Sequence, residues 1–73
     1  MALPKAFRFV VVDAHDDGAP ELEIVARNAE DAALQYVANI DDPTYPYGIR
    51  VTAKNDGFVR YFDVRQTVVA VER

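Results

Sequence analysis

Few side chains in this 73-residue sequence carry strongly reactive chemistry. It contains neither serine nor cysteine, which removes the two commonest activated nucleophiles. Its one imidazole, His15, stands in the run Asp-Ala-His-Asp-Asp at 13–17, where an imidazole and carboxylates could gather around a divalent metal. Two or three further ligands would have to come from elsewhere, so a solvated surface turn explains this run better. Nucleotide-binding and zinc-protease motifs are also missing. We therefore predict a protein that is not an enzyme and that needs no metal or cofactor.

Asp63 is the other acid with a conceivable chemical role, because Arg60 and Arg65 flank it in the sequence. Nearby arginines could lower its pKa, as they do for functional carboxylates. Charge pairing between neighbouring strands explains the same residues without any function, and we favour that interpretation.

Two tyrosines are the side chains best suited to contact a partner. Tyr45 and Tyr47 lie in the segment Pro-Thr-Tyr-Pro-Tyr-Gly at 43–48, where two prolines restrict the backbone in advance. Tyrosine offers a large, stiff and amphipathic surface, which is why it is enriched at interfaces. The alternative is that one or both rings fold back over the end of the hydrophobic core. The sequence also leaves the isomer of the Tyr45–Pro46 bond open.

Acidic residues are concentrated in the first part of the chain, whose net charge is −4 overall. Residues 1–46 hold nine acids and three bases, whereas residues 47–73 hold three acids and five bases. An acidic balance argues against a general binder of nucleic-acid backbones, so the expected partner is a protein with a basic surface. The residues predicted to contact it are Asp16, Asp17, Glu21, Glu23, Asp41, Asp42, Tyr45 and Tyr47.

One amphipathic helix is predicted over residues 28–40, and the rest of the sequence is typical of strands and turns. Asn28 stands at the N-cap position, where its side-chain oxygen can accept a hydrogen bond from a free backbone N–H of the first turn. At 100° per residue, the face predicted to be buried consists of Ala29, Ala33, Tyr36, Val37 and Ile40. The opposite face consists of Asp31, Gln35 and Asn39.

The end of this helix is unusual, because Asp41 and Asp42 follow it directly before Pro43. Two carboxylates near the negative end of a helix dipole are unfavourable. They can be explained as part of a turn in which aspartate accepts backbone hydrogen bonds, or as charges retained for a basic partner or a cation.

Two strands are predicted before the helix, joined as a hairpin by the turn-forming residues 16–20. Residues 6–14 are apolar on both faces, which is typical of a central strand. One face of this strand consists of Phe7, Phe9 and Val11, and the other of Arg8, Val10 and Val12. In the strand 21–27, the residues predicted to point inward are Leu22, Ile24 and Ala26.

After the helix, a second hairpin is predicted with its turn at Asn55-Asp56-Gly57 and its returning strand at residues 58–64. Residues 66–71 are again rich in β-formers, but Val64-Arg65 offers no turn residue. A tight turn there, or one long strand with a bulge, would both fit, and we favour the turn. The predicted fold class is therefore α+β, with one amphipathic helix on one face of an antiparallel β-sheet in the order ββαβββ.

Length and hydropathy limit the architecture further. Residues 1–73 are predicted to form a single domain with a small core, because a chain of this length buries only about 60% of its unfolded surface. The apolar run at residues 9–12 is far too short to span a bilayer, and residues 1–12 lack the apolar core of a secretory signal. The expectation is a soluble cytoplasmic protein that does not bind membranes.

The leading functional hypothesis is a non-catalytic, acidic protein-interaction module. It would inhibit a partner protein by occluding a basic surface, for example one that binds nucleic acid. Phage-borne inhibitors of bacterial defence systems share this size and charge, although no motif here assigns the chain to them.

Two alternatives remain open. The first is a self-assembling structural or small-ligand-binding module, such as a homodimer, that uses the apolar C-terminal residues Val68, Val69 and Val71. The second is a binder of single-stranded nucleic acid, in which Tyr45 and Tyr47 stack on bases and Arg50 and Lys54 hold phosphates.

Overall fold

The computed structural model describes residues 6–15, 18–65 and 69–73. Within them the chain forms, in order, β1 (Phe7–Asp13), β2 (Leu22–Ala26), α1 (Ala29–Ala38), β3 (Tyr47–Ala53), β4 (Val59–Arg65) and β5 (Val69–Glu72). The strands form one antiparallel sheet in the order β2-β1-β3-β4-β5. The helix packs on one face of this sheet and contacts every strand. The predicted α+β fold and its ββαβββ order are confirmed.

The first hairpin joins β1 to β2, with Phe7 opposite Ala26 and Val11 opposite Leu22. β1 also pairs with β3, so it is an interior strand, as its two apolar faces predicted. Leu22 lies on the inward side but is 45% exposed, because it begins an edge strand that has a neighbour on one side only.

Phe7 shares a face of β1 with the buried Phe9 and Val11, but its side chain is 40% exposed. It lies at the start of β1, opposite the last residue of β2. The helix begins at Ala29, just after that strand, and leaves a groove of about 380 Å³ between its first turn and the sheet. Phe7 lines this groove together with Phe58 from the turn before β4.

The turn of the second hairpin lies at Asn55-Asp56-Gly57, as predicted. Gly57 has a φ of +72°, a left-handed conformation that glycine adopts without strain. The Asp56 carboxylate accepts a hydrogen bond from the backbone N–H of Phe58 at 2.9 Å. The hairpin signal in the sequence was therefore local and sufficient.

The last two strands also match the turn interpretation, but the reversal comes later than predicted. Val64 pairs with Ala70 and Arg65 pairs with Val69, so both Val64 and Arg65 belong to β4. The connection falls on residues 66–68, which lie outside the described residues, as does Val68 of the proposed apolar C-terminal set.

Asn28 caps the helix as predicted, since its side-chain oxygen accepts a hydrogen bond from the backbone N–H of Asp31 at 2.7 Å. The helix ends at Ala38, two residues before the predicted end. The backbone N–H of Asn39 donates to the Tyr36 carbonyl at 3.2 Å, and that of Ile40 donates to the Val37 carbonyl at 3.1 Å, which tightens the last turn.

The core lies between the helix and the sheet. Of the predicted helix face, Ala29, Ala33 and Val37 are buried, whereas Tyr36 and Ile40 are only half-buried. Ala32 was not predicted but is fully buried, because small side chains let the helix lie close to the strands. The strands contribute Phe9, Val11, Ile24, Ala26, Ile49, Val51, Phe62, Val64 and Ala70.

No helix in the part of the chain that the structure describes has the length and apolarity needed to cross a membrane.

Candidate functional site

The helix and the loop that follows it form an acidic layer, which we call the helix layer (residues 28–46). This segment contains Glu30, Asp31, Asp41 and Asp42 and no lysine, arginine or histidine. Asp31 is half-buried and accepts a hydrogen bond from the Gln35 amide at 3.2 Å, while the other three acids are exposed. None of the four forms a salt bridge with another described residue. Their negative charge is therefore not neutralised by neighbouring side chains.

The face of the sheet away from the helix, which we call the open face, has the opposite balance. Strand register assigns side chains to it, because directly paired residues share a face. Its bases are Arg8, Arg50, Lys54, Arg65 and Arg73, and its acids are Glu21, Glu23 and Asp63. Among the described residues, the open face thus has an excess of two positive charges, although the whole chain is acidic.

Two of the three open-face acids are already paired. Glu23 lies 3.8 Å from Arg8 and 3.6 Å from Lys54. Exposed ion pairs of this kind contribute about 0–1 kcal/mol to stability, but they do offset local charge. Asp63 is paired with Arg73.

The sequence predicts that Asp63 pairs with Arg60 or Arg65. In the fold it forms a salt bridge with neither of them. Charge pairing was the correct interpretation, but Arg60 lies on the other face and pairs with Glu72 at 3.5 Å. Hydrogen bonds from the Arg73 guanidinium hold the pKa of the Asp63 carboxyl below its ordinary value, more than burial raises it. The same hydrogen bonding raises the pKa of Arg73.

Gly48 leaves room for the Asp63–Arg73 pair on the surface of the sheet, because it has no side chain. Gly48 is opposite Asp63, and a Cβ at Gly48 would lie 3.0 Å from Nη2 of Arg73. The same Cβ would lie 2.5 Å from Nε2 of His15, which follows the end of β1. His15 and Arg73 thus occupy the space above Gly48, next to Asp63.

Arg50 lies near the centre of the open face. It is half-buried on the middle strand, between Val12 of β1 and Tyr61 of β4. The hollow around it has a volume of about 320 Å³ and is lined by Val10, Val12, Glu21, Arg50, Thr52, Val59 and Tyr61. Arg50 forms no salt bridge with any described residue, and the same holds for Arg65. Both guanidinium groups are available to an external anion.

The open face also exposes apolar side chains. Five large hydrophobic residues there are at least 40% accessible, namely Val25, Val59, Tyr61, Val69 and Val71. The helix packs on one face of the sheet, as predicted, and these five side chains on the other face stay accessible in the part of the chain that the structure describes.

Tyr45 and Tyr47 are both half-buried and pack against the core. The Tyr47 hydroxyl donates a hydrogen bond to the Asp13 carboxylate at 3.0 Å, and its ring lies 6.5 Å from that of Tyr36. The Tyr45–Pro46 peptide bond is cis. Both rings therefore adopt the folded-back arrangement that the sequence left open, and their contact with a partner stays a prediction.

The remaining predicted contact residues do not form one patch. Glu21 and Glu23 belong to the open face, whereas Asp41 and Asp42 belong to the helix layer. Asp16 and Asp17 lie outside the described residues. These acids were grouped by their position in the chain. The sequence does not show that Arg8 and Lys54 lie beside Glu23 on the open face.

Within the described residues, no three His, Cys, Asp or Glu side chains lie close enough together to hold a metal ion. The backbone N–H of His15 donates to the Asp13 carboxylate at 2.8 Å, as in an ordinary turn.

No protein-family model matches the chain, and neither a curated protein nor a solved structure matches it. The features that bear on function are therefore the charges and exposed side chains of the helix layer and the open face.

Proposed function

We propose that this protein is a non-catalytic interaction module whose helix layer docks on a basic surface of a partner protein. By covering that surface it acts as an inhibitor, for example of nucleic-acid binding by the partner. The observation that supports the proposal is the helix layer itself, with four acids and no base over residues 28–46.

Electrostatic screening decides which charges a partner meets. At physiological ionic strength the Debye length is about 8 Å, so a partner at the helix layer interacts with that layer and hardly with the opposite face. The chain measures 39 × 25 × 22 Å, which exceeds this length in every direction. A basic partner is therefore attracted to the helix layer even though the open face is positive.

Position along the helix also supports the proposal. Asp41 and Asp42 follow the C-terminal end of α1, where negative charge is unfavourable by about 0.3–1 kcal/mol each. Asp42 has a φ of 53°, a left-handed conformation that aspartate adopts more readily than most residues, so the unfavourable term there is the charge and not the backbone. Retaining two carboxylates there is understandable if they bind something else.

The test compares two variants with the same change in net charge. The helix-layer variant is Glu30→Gln, Asp41→Asn and Asp42→Asn, and the control variant neutralises three acids outside this layer, namely Glu21→Gln, Glu23→Gln and Glu72→Gln. Immobilised wild-type protein is used to capture partners from lysate at low and moderate salt. A photo-crosslinking residue at Gln35 on the helix layer, or at Tyr61 on the open face, shows which face is in contact.

We expect cross-links from position 35 and about tenfold weaker binding of the purified partner to the helix-layer variant. Three exposed ion pairs at about 0.5 kcal/mol each give about 1.5 kcal/mol, which corresponds to that factor. The control variant should bind within about twofold of wild type, and wild type should inhibit the partner's nucleic-acid binding. Equal losses in both variants, or cross-links from position 61 alone, would contradict the proposal.

A further inference from the structure

We propose that the open face of one copy of this chain binds the helix layer of a second copy, so that the protein associates head to tail. The inference uses the same helix layer as the proposed function, but it requires no other protein.

Charge complementarity is the first argument. The helix layer presents four acids that form no salt bridge with described residues. The open face presents two arginines, Arg50 and Arg65, that also form no salt bridge with described residues. The other open-face cations are offset by Glu23 and Asp63. Glu21 lines the same hollow as Arg50, and Asp63 interacts electrostatically with Arg65, but neither acid forms a salt bridge with these arginines. A second copy therefore supplies anions that can pair with Arg50 and Arg65 directly.

Symmetry is the second argument, because it excludes the simplest dimer. Two open faces placed against each other around a two-fold axis would both be positive. β3 is the middle strand of the five, so an axis near the centre of the sheet would bring the two copies of Arg50 together. Like charges opposed in this way are destabilising. A head-to-tail contact opposes Arg50 to acids instead.

Dimensions are the third argument. Five strands at about 4.8 Å spacing make an open face about 19 Å wide, and a ten-residue helix is about 15 Å long. The helix of one copy thus fits across the open face of the next. Exposed Val59 and Tyr61 lie beside Arg50, and the helix layer offers Ala38 and the half-buried Leu34 to them. A contact of this size is below about 1,200 Å², the class of weak and reversible interfaces.

Salt should affect this association in both directions. Each copy has a net charge of −4, and at 0.01 M salt the Debye length of about 30 Å lets whole molecules repel. At 0.15 M salt the Debye length of about 8 Å screens the repulsion between whole molecules, but it does not screen the attraction between charges in direct contact. At 1 M, with a Debye length of about 3 Å, the contact is screened as well. Association should therefore be strongest at intermediate salt.

The test is sedimentation equilibrium of wild type and charge-reversal variants at 0.01, 0.15 and 1 M salt. The open-face variant is Arg50→Glu with Arg65→Glu, and Arg65→Glu alone replaces it if the half-buried position disturbs folding by circular dichroism. The helix-layer variant is Glu30→Lys with Asp41→Lys. Arg60→Glu is the matched control for Arg65→Glu, because it makes the same charge change on the same strand but on the other face.

For wild type at 0.15 M salt, we expect an average mass that rises above the 8.2 kDa monomer with concentration and does not stop at a dimer, because a head-to-tail contact leaves free ends. Each variant alone should be monomeric, and Arg60→Glu should resemble wild type. An equimolar mixture of the two variants should give two-chain complexes, since each variant retains one working surface.

Wild type that is monomeric at all three salt concentrations would overturn the inference. So would a mixture that does not associate, or an open-face variant that still self-associates. If self-association is absent while cross-links from position 35 to a foreign protein persist, this inference fails and the proposed function stands. If the chain self-associates but captures no partner, the reverse holds.

Discussion

Replacing Asp41 and Asp42 with asparagine should stabilise the fold, even though the proposed function requires both carboxylates. The two residues follow α1, which ends at Ala38 with Asn39 as its C-cap. The last carbonyl groups of a helix give this end a partial negative charge, and a carboxylate nearby is repelled by it. Asparagine keeps the shape of the side chain and tolerates the left-handed conformation at residue 42, so the substitution removes charge with little change in geometry.

The expected gain follows from this geometry. Relief of about 0.3–1 kcal/mol for each carboxylate gives about 1 kcal/mol for the double variant at low salt. A chain of this length has an unfolding free energy of about 4–11 kcal/mol, so the gain is a substantial fraction of it. In a thermal scan it corresponds to a rise in Tm of about 4–8 °C.

Glu30→Gln is the matched control, because Glu30 lies in the first turn of the same helix. The same loss of one negative charge should destabilise the fold there by about 0.3–1 kcal/mol, since a carboxylate is favourable at the positive end. Urea unfolding of wild type and both variants in 0.02 M and 1 M salt measures the effects. Opposite signs at low salt, both smaller at 1 M, are the expected result.

A loss of stability in the Asp41→Asn, Asp42→Asn variant would refute this reasoning. It would mean that the carboxylates hold the turn before Pro43 by accepting hydrogen bonds, which was the other interpretation of the sequence. The two carboxylates would then be explained by the stability of the turn, and no binding partner would be needed to account for them.

Three further predictions test the fold. Phe62→Ala should lower the unfolding free energy by about 3–5 kcal/mol, because the ring is buried. Phe58→Ala should lower it by less than about 1 kcal/mol, because that ring is 58% exposed. Similar losses for the two variants in urea titrations would contradict the burial of Phe62. Asn28→Ala should cost about 1 kcal/mol through loss of the helix cap, and an unchanged urea midpoint would argue against that cap. Asp63→Asn should be less stable than wild type at pH 7. Because Arg73 lowers the pKa of folded Asp63, its contribution is present above the unfolded pKa of about 3.9 and is lost as pH falls through the folded value, so the two proteins should converge below about pH 4.

Features encoded by neighbouring residues could be predicted from the sequence. Asn28 stands directly before the helix that it caps, and Asn55-Asp56-Gly57 contains the turn that it forms. The alternation in residues 21–27 placed Ile24 and Ala26 in the core correctly. Each of these signals lies within a few residues of its consequence, so tertiary structure does not need to be known.

Features that depend on how strands are paired could not be predicted. Asp63 contacts Arg73, which lies ten residues away, just after the next strand, and that pairing depends on where the chain reverses between them. Arg60 and Arg65 were the predicted partners because they flank Asp63 in the sequence. The distribution of Tyr45 and Tyr47 between core and surface likewise depends on the position of the helix relative to β3, which local sequence does not specify.

The charge distribution shows the same limit and leads to the functional argument. The sequence shows an acidic part at residues 1–46 and a slightly basic part at residues 47–73, but net charge over a segment averages over side chains that point in opposite directions. In the fold, the helix layer takes its acids from one continuous segment, while the open face collects arginines and lysine from β1, β3, β4 and the C-terminal residue. A chain with a net charge of −4 thereby has one face on which the described side chains carry two excess positive charges. Since screening limits each interaction to about 8 Å, the separate faces, and not the total charge, determine what the protein can bind.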